Sequence, residues 1–169
     1  PEGLDVLDAG ASTGGFTEVL LERGAARVYA VDIGHGQIHE SLRKNSQVTI
    51  LEKQDVRKLK PSIFSRPIGA ITADLSFISL TKVIPFLFEL ASEQCWFVAL
   101  IKPQFEVGRD FIGKGGIVKD PNAINNAINS IEKQISLCKG WFVKGLAPSP
   151  IKGGSGNNEF LIGACRHAR

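Results

Sequence analysis

The chain has 169 residues and a formal net charge of +3, a length that suits one domain with a normal core and excludes two. Hydrophobic residues make up 43% and charged residues 22%, which excludes a disordered chain. The longest apolar run, residues 95–101, falls far short of the roughly 20 residues of a membrane-spanning helix.

The mild basic excess permits a nucleic-acid partner without demanding one. Cys95, Cys138 and Cys165 lack metal-ligand spacing, so free thiols in a reducing cytoplasm are expected, with neither disulfide nor bound metal. Along the chain, residues 4–8 read as a buried strand that runs into the small-residue turn Gly10-Ala-Ser-Thr-Gly-Gly15, and residues 16–23 have the apolar spacing of a helix. Such a turn presents free N–H groups and a positive helix end to whatever lies above the strand. Further strands are expected at 27–31, 48–51, 70–74, 97–101, 141–146 and 160–164, with helices at 35–44, 80–91 and 122–137. Asp120 is the expected N-cap of the last helix, with Pro121 at its first position. The alternation predicts an α/β, Rossmann-like fold. Its seven-stranded sheet is mainly parallel, carries helices on both faces and ends in an antiparallel edge hairpin built across 147–158.

The turn favours one nucleotide-type cofactor over another. Ser12 stands where a dinucleotide fingerprint needs its second glycine. Asp8 would repel a diphosphate but attract the ammonium of a methionyl group. Asp8, Gly10, Ser12, Thr13, Gly14, Gly15 and Phe16 are therefore expected to bind S-adenosylmethionine (SAM) rather than NAD. Ligands of such sheets sit beyond the carboxyl ends of the strands, where ionisable residues recur. Asp32 is expected to accept hydrogen bonds from the cofactor ribose, the rival role being a carboxylate at a helix N-terminus. Asp55 suits an adenine contact, or equally a solvated loop. Asp74, Lys102 and Glu159 are expected to meet and to orient or deprotonate a hydroxyl, Asp74 also touching the cofactor; a structural ion pair is the alternative. Residues 108–119 form a Gly-rich segment of the kind used as a lid. Arg109, Lys114 and Lys119, with Lys152, suit RNA phosphates or a solvated basic face. His35 and His39 carry no assigned role.

Five ordered segments carry a family resemblance: Asp8-Ala-Gly-Ala-Ser-Thr-Gly-Gly-Phe16, Val31-Asp-Ile-Gly-His-Gly-Gln37, Asp74-Leu-Ser-Phe-Ile-Ser-Leu80, Lys102-Pro-Gln-Phe-Glu106 and Gly156-Asn-Asn-Glu-Phe160. Together they resemble the TlyA or haemolysin A family, which has an FtsJ-like methyltransferase domain. The resemblance implies methyl transfer from SAM to the ribose 2'-hydroxyl of a cytidine in ribosomal RNA by a Lys-Asp-Lys-Glu set. Asp74, Lys102 and Glu159 match its aspartate, second lysine and glutamate. It further implies that residues 1–169 are one domain of a longer cytoplasmic protein, with an S4 RNA-binding domain and the first lysine upstream, and ribosomal RNA or ribosomal subunits as partner.

Three rivals remain. One is an NAD-dependent oxidoreductase, which Ser12 disfavours. Another is an amino-methyltransferase, which by the common route carries Asn/Asp-Pro-Pro-Tyr where this chain has Asp74-Leu-Ser-Phe77. The third is an RNA-binding or haemolysin-related protein with a vestigial methyltransferase fold, for which no membrane-length or strongly basic amphipathic segment is at hand.

Overall fold

A computed structural model of the chain describes residues 1–154 and 156–167. Its strands are β1 (Asp5–Ala9), β2 (Arg27–Val31), β3 (Val48–Leu51), β4 (Ile68–Ala73), β5 (Ala91–Ile101), β6 (Trp141–Pro148) and β7 (Phe160–Arg166). They form one sheet in the order β3-β2-β1-β4-β5-β7-β6. The first five run parallel, and β7 lies antiparallel between β5 and β6. Its helices are α1 (Gly15–Glu22), α2 (Glu40–Arg43), α3 (Ile84–Glu89), α4 (Pro103–Glu106) and α5 (Pro121–Leu137).

The central strands are covered on both faces, so every residue of β1 and β4 is buried. Alternation then divides the core. Leu7, Ile71, Phe97 and Ile162 pack with Ile131 and Ile135 of α5 on one face, while Val6, Val28 and Ala70 meet Leu20 of α1 on the other. Helix α5 turns a stripe of Ala127, Ile128, Ile131 and Ile135 to the sheet. Its first turn is capped as expected: Asn122 N donates to Asp120 Oδ1 at 2.9 Å, and Pro121 stands where no N–H is required. Phe88 stacks on Trp141 at a centroid distance of 3.5 Å, and Phe97 meets Phe88 edge-on.

Three elements depart from the sequence reading. The helix expected over 35–44 is the single turn α2, because Gly34 and Gly36, the latter at φ +69°, hold the preceding stretch outside helical geometry. The helix expected over 80–91 divides into a 3₁₀ turn, Leu80–Lys82, and α3, whose start is fixed by Pro85. Strand β5 begins at Ala91, six residues early; exposed Glu93 and Gln94 hid its start, whereas pairing to Ile68 and Arg166 sustains it. No helix among the described residues is long and apolar enough to cross a membrane.

Strand order reverses at β1, with β2 on one side and β4 on the other. The crevice beyond their carboxyl ends is where such sheets bind ligands.

Candidate active site at the carboxyl edge of the sheet

A cavity of about 490 Å³ opens at that crevice, walled by Gly10, Ser12, Asp32, Ile33, Asp55, Val56 and the segment from Asp74 to Ile78. Its floor depends on one glycine. Asp74 N donates to Ala9 O at 2.9 Å and Gly10 N to Val31 O at 2.8 Å, drawing three strand ends together. Gly10 sits at φ +83°, and a Cβ there would run into the Asp74 carbonyl.

Ser12, itself at φ +49°, donates its N–H to Asp32 Oδ2 at 2.8 Å, and Gly34 N donates to Asp32 Oδ1 at 2.7 Å. A carboxylate has about four acceptor positions, so Asp32 retains capacity for a pair of hydroxyls. It opens no helix, since α2 starts at Glu40. Gln37, to which the sequence reading assigns no role, also lines the cavity and accepts from Ser12 Oγ at 3.4 Å. Ile33, 77% exposed, and Val56 supply apolar wall for a flat ring.

Asp8 sits apart from the cavity wall. It is fully buried, accepting from Thr17 Oγ1 at 2.6 Å and Thr72 Oγ1 at 2.9 Å. Burial pushes its pKa up to about 6. The carboxylate is held from within the core by side chains of α1 and β4 and forms no part of the cavity wall. Thr13, Gly14, Gly15 and Phe16 likewise lie outside the wall. Gly14 is the N-cap of α1, pressed against Leu42; Gly15 and Phe16 are the next two residues, whose N–H groups find no acceptor among the described residues. Asp55 does line the cavity, but Arg57 grips it through Nε–Oδ1 at 2.9 Å and Nη2–Oδ2 at 2.6 Å, holding its carboxyl below the usual range.

Of the three residues expected to meet, Asp74 and Lys102 are in contact, and Glu159 lies near enough for both charges to act on its carboxyl. Ile101 pairs with Phe160 in the antiparallel register of β5 and β7, which sets Lys102 opposite Glu159. Lys102 Nζ lies 2.7 Å from Asp74 Oδ1 and donates to Ser76 Oγ at 3.0 Å. Glu159 is buried, and burial raises its pKa against the opposing pull of Lys102 and of a hydrogen bond from Gln104. Gln104 Oε1 is buried without a partner beside this cluster. A buried acceptor of that kind calls for a donor, and a substrate hydroxyl is one.

Ser76, Gln104, Glu106 and Asn157 lie inside the resemblance segments, but the sequence reading assigns them no role. Glu106 accepts from Ser79 Oγ at 2.6 Å and Leu80 N at 2.8 Å, tying the loop after β4 to α4. In that loop Phe77 takes φ +65° and is 90% exposed, its ring 5.0 Å from Phe105. Strain at a non-glycine residue that exposes an aromatic ring is characteristic of a binding position. Asn157, 1% exposed, accepts from Val118 N and donates to Gly116 O, both at 2.9 Å. The Gly-rich segment is therefore pinned at its end rather than free-standing, and Gly113 and Ile117 close a turn within it. Arg109, Lys114, Lys119 and Lys152 are all exposed.

Comparison with known proteins agrees with this geometry. The family model described as FtsJ-like methyltransferase matches residues 1–166. The chain belongs to the FtsJ-like methyltransferase family. Among curated relatives of this FtsJ-like chain, the 16S/23S rRNA (cytidine-2'-O)-methyltransferase TlyA of Mycobacterium tuberculosis is 46% identical over 160 residues, covering 95% of this chain and 59% of the relative. Hemolysin A of Brachyspira hyodysenteriae is 41% identical over 156 residues, covering 92% of this chain and 65% of the relative. A solved "putative hemolysin" from Lactococcus lactis superposes with a TM-score of 0.93 at 41% identity, covering 97% of this chain and 78% of that one. The FtsJ-like chain thus spans less than two thirds of the length of the curated relatives it matches.

Proposed function

We propose that the chain is the catalytic domain of a SAM-dependent methyltransferase acting on a ribose 2'-hydroxyl of ribosomal RNA, with a cytidine as target. The observation that carries the reading is the Asp74, Lys102 and Glu159 cluster at the mouth of a cofactor-sized cavity. Family membership supports the reaction, and the cytidine specificity named for the TlyA relative supports the nucleotide. The cavity suits SAM: about 490 Å³ is within the usual range for a small-molecule site. Asp32 offers acceptors for ribose hydroxyls, and Ile33 and Val56 flank a place for adenine.

Bound SAM supplies an electrophilic methyl whose sulfonium leaves as a neutral thioether. The protein's part is positioning and charge. An ammonium has three donors; Lys102 gives one to Ser76, forms an ion pair with Asp74 Oδ1 at 2.7 Å, and can offer another donor to the attacking oxygen. Asp74 fixes the lysine from the cofactor side, and Glu159 receives charge and proton from the other. Phe77 provides a flat face for an unstacked base next to the reacting sugar. Arg109, Lys114, Lys119 and Lys152 extend a basic surface for phosphates.

In the full-length protein, Lys102→Ala is expected to abolish methyl transfer to ribosomal RNA while SAM affinity stays within about twofold, as for a group acting in the transition state. Unchanged transfer would remove Lys102 from the mechanism.

A further inference from the structure

A second cavity, of about 430 Å³, borders the segment that carries Glu159. Asn158 and Phe160, its chain neighbours, are in the wall, so the cavity begins one residue from the catalytic carboxylate. Across from them stand Lys119 and the first turns of α5, with Ile124 and Asn125; Lys152 comes from the connection between β6 and β7. Both charged residues in the wall are cations. The nearby Asp120 is occupied in capping α5. Two ammonium groups, two amides and an apolar surface from Ile124 and Phe160 answer the parts of a nucleotide: phosphate, base edges and a flat ring.

Two segments of the cavity wall are tied together by Asn157. Buried Asn157 bonds Gly116 O and Val118 N with one amide, and its own carbonyl accepts from Gly153 N at 2.9 Å. The segment bearing Lys119 and the turn bearing Lys152 are therefore joined through one buried residue, and both lysines line the cavity. Arg109 and Lys114, earlier in the Gly-rich segment, are outside this wall.

We propose that this second cavity binds one nucleotide of the substrate RNA adjacent to the nucleotide that is methylated, its phosphate between Lys119 and Lys152, and so sets the register of the strand at Glu159. This rests on the reading of the chain as an RNA methyltransferase. The test uses full-length protein and ribosomal RNA, measuring RNA affinity, SAM affinity and methyl transfer separately. The double variant Lys119→Ala/Lys152→Ala is expected to weaken RNA binding roughly tenfold and to lower the salt slope by about one phosphate contact, with SAM affinity unchanged. Asn125→Trp, which fills the cavity and keeps both lysines, is expected to weaken RNA binding comparably while its melting temperature matches wild type. Arg109→Ala and Lys114→Ala are expected to cost less. Equal losses from all four single alanine variants, or wild-type RNA affinity for Asn125→Trp, would overturn the subsite. If wild-type protein transfers methyl normally and these variants behave as wild type, the subsite alone fails; if wild-type protein transfers none, the reading beneath it fails.

Discussion

Asp8 and Asp32 both sit at strand ends beside the same turn, yet their surroundings give them opposite roles. Asp8 is sealed between Thr17 and Thr72, and burial lifts its pKa from 3.8 to about 6. A carboxyl whose pKa is higher in the folded state contributes stability that is present below its unfolded pKa and lost as pH rises through the folded one. Asp8→Asn removes that titration. The unfolding free energy of wild type minus that of Asp8→Asn is expected to fall by about 3 kcal/mol between roughly pH 4 and pH 7, read by urea denaturation; a flat difference would contradict the burial argument. Asp32 remains at the cavity with acceptors to spare. Asp32→Ala is expected to weaken SAM binding by roughly 1 to 3 kcal/mol, the loss of charge-assisted hydrogen bonds. Calorimetry giving wild-type affinity would remove Asp32 from the cofactor site.

Among elements, the hairpin of β6 and β7 does more than close the sheet edge. Its antiparallel register against β5 places Glu159 opposite Lys102, and its connection carries Asn157, which anchors the Gly-rich segment. That segment was legible as a loop beside the site; its anchoring was not, because the partner lies 39 residues away in sequence. Asn157→Ala leaves the Val118 N–H buried without an acceptor, a cost of about 1 to 3 kcal/mol. Hydrogen exchange at Val118 is expected to quicken while exchange in β1 and β4 stays slow. Uniform acceleration across the sheet would indicate global unfolding instead of a released loop.

At the scale of the whole molecule, the site is assembled from the ends of β1, β2, β4, β5 and β7, with the reversal of strand order at β1 opening the crevice. The described residues supply an aspartate, a lysine and a glutamate to the proposed catalytic cluster, and the curated relatives extend well beyond the stretch this chain matches. We expect residues 1–169 alone to bind SAM and to methylate ribosomal RNA far more slowly than full-length protein, by a filter-binding assay of methyl incorporation. Equal rates would mean that the segment matched here is sufficient.

The amino-acid sequence by itself determined the alternation of strands and helices, the glycine turn and the carboxyl-edge positions of Asp32, Asp74, Lys102 and Glu159. Those follow from local periodicity and from backbone freedom at glycine, both of which act over a few residues. Only the tertiary structure decided which partners satisfy each side chain. Asp8 reads like a cofactor ligand until Thr72, 64 residues away, takes one of its oxygens, and the start of β5 is invisible until β4 and β7 pair with it. Hydrogen-bond satisfaction and burial are properties of the packed molecule, and segments remote in sequence supply them.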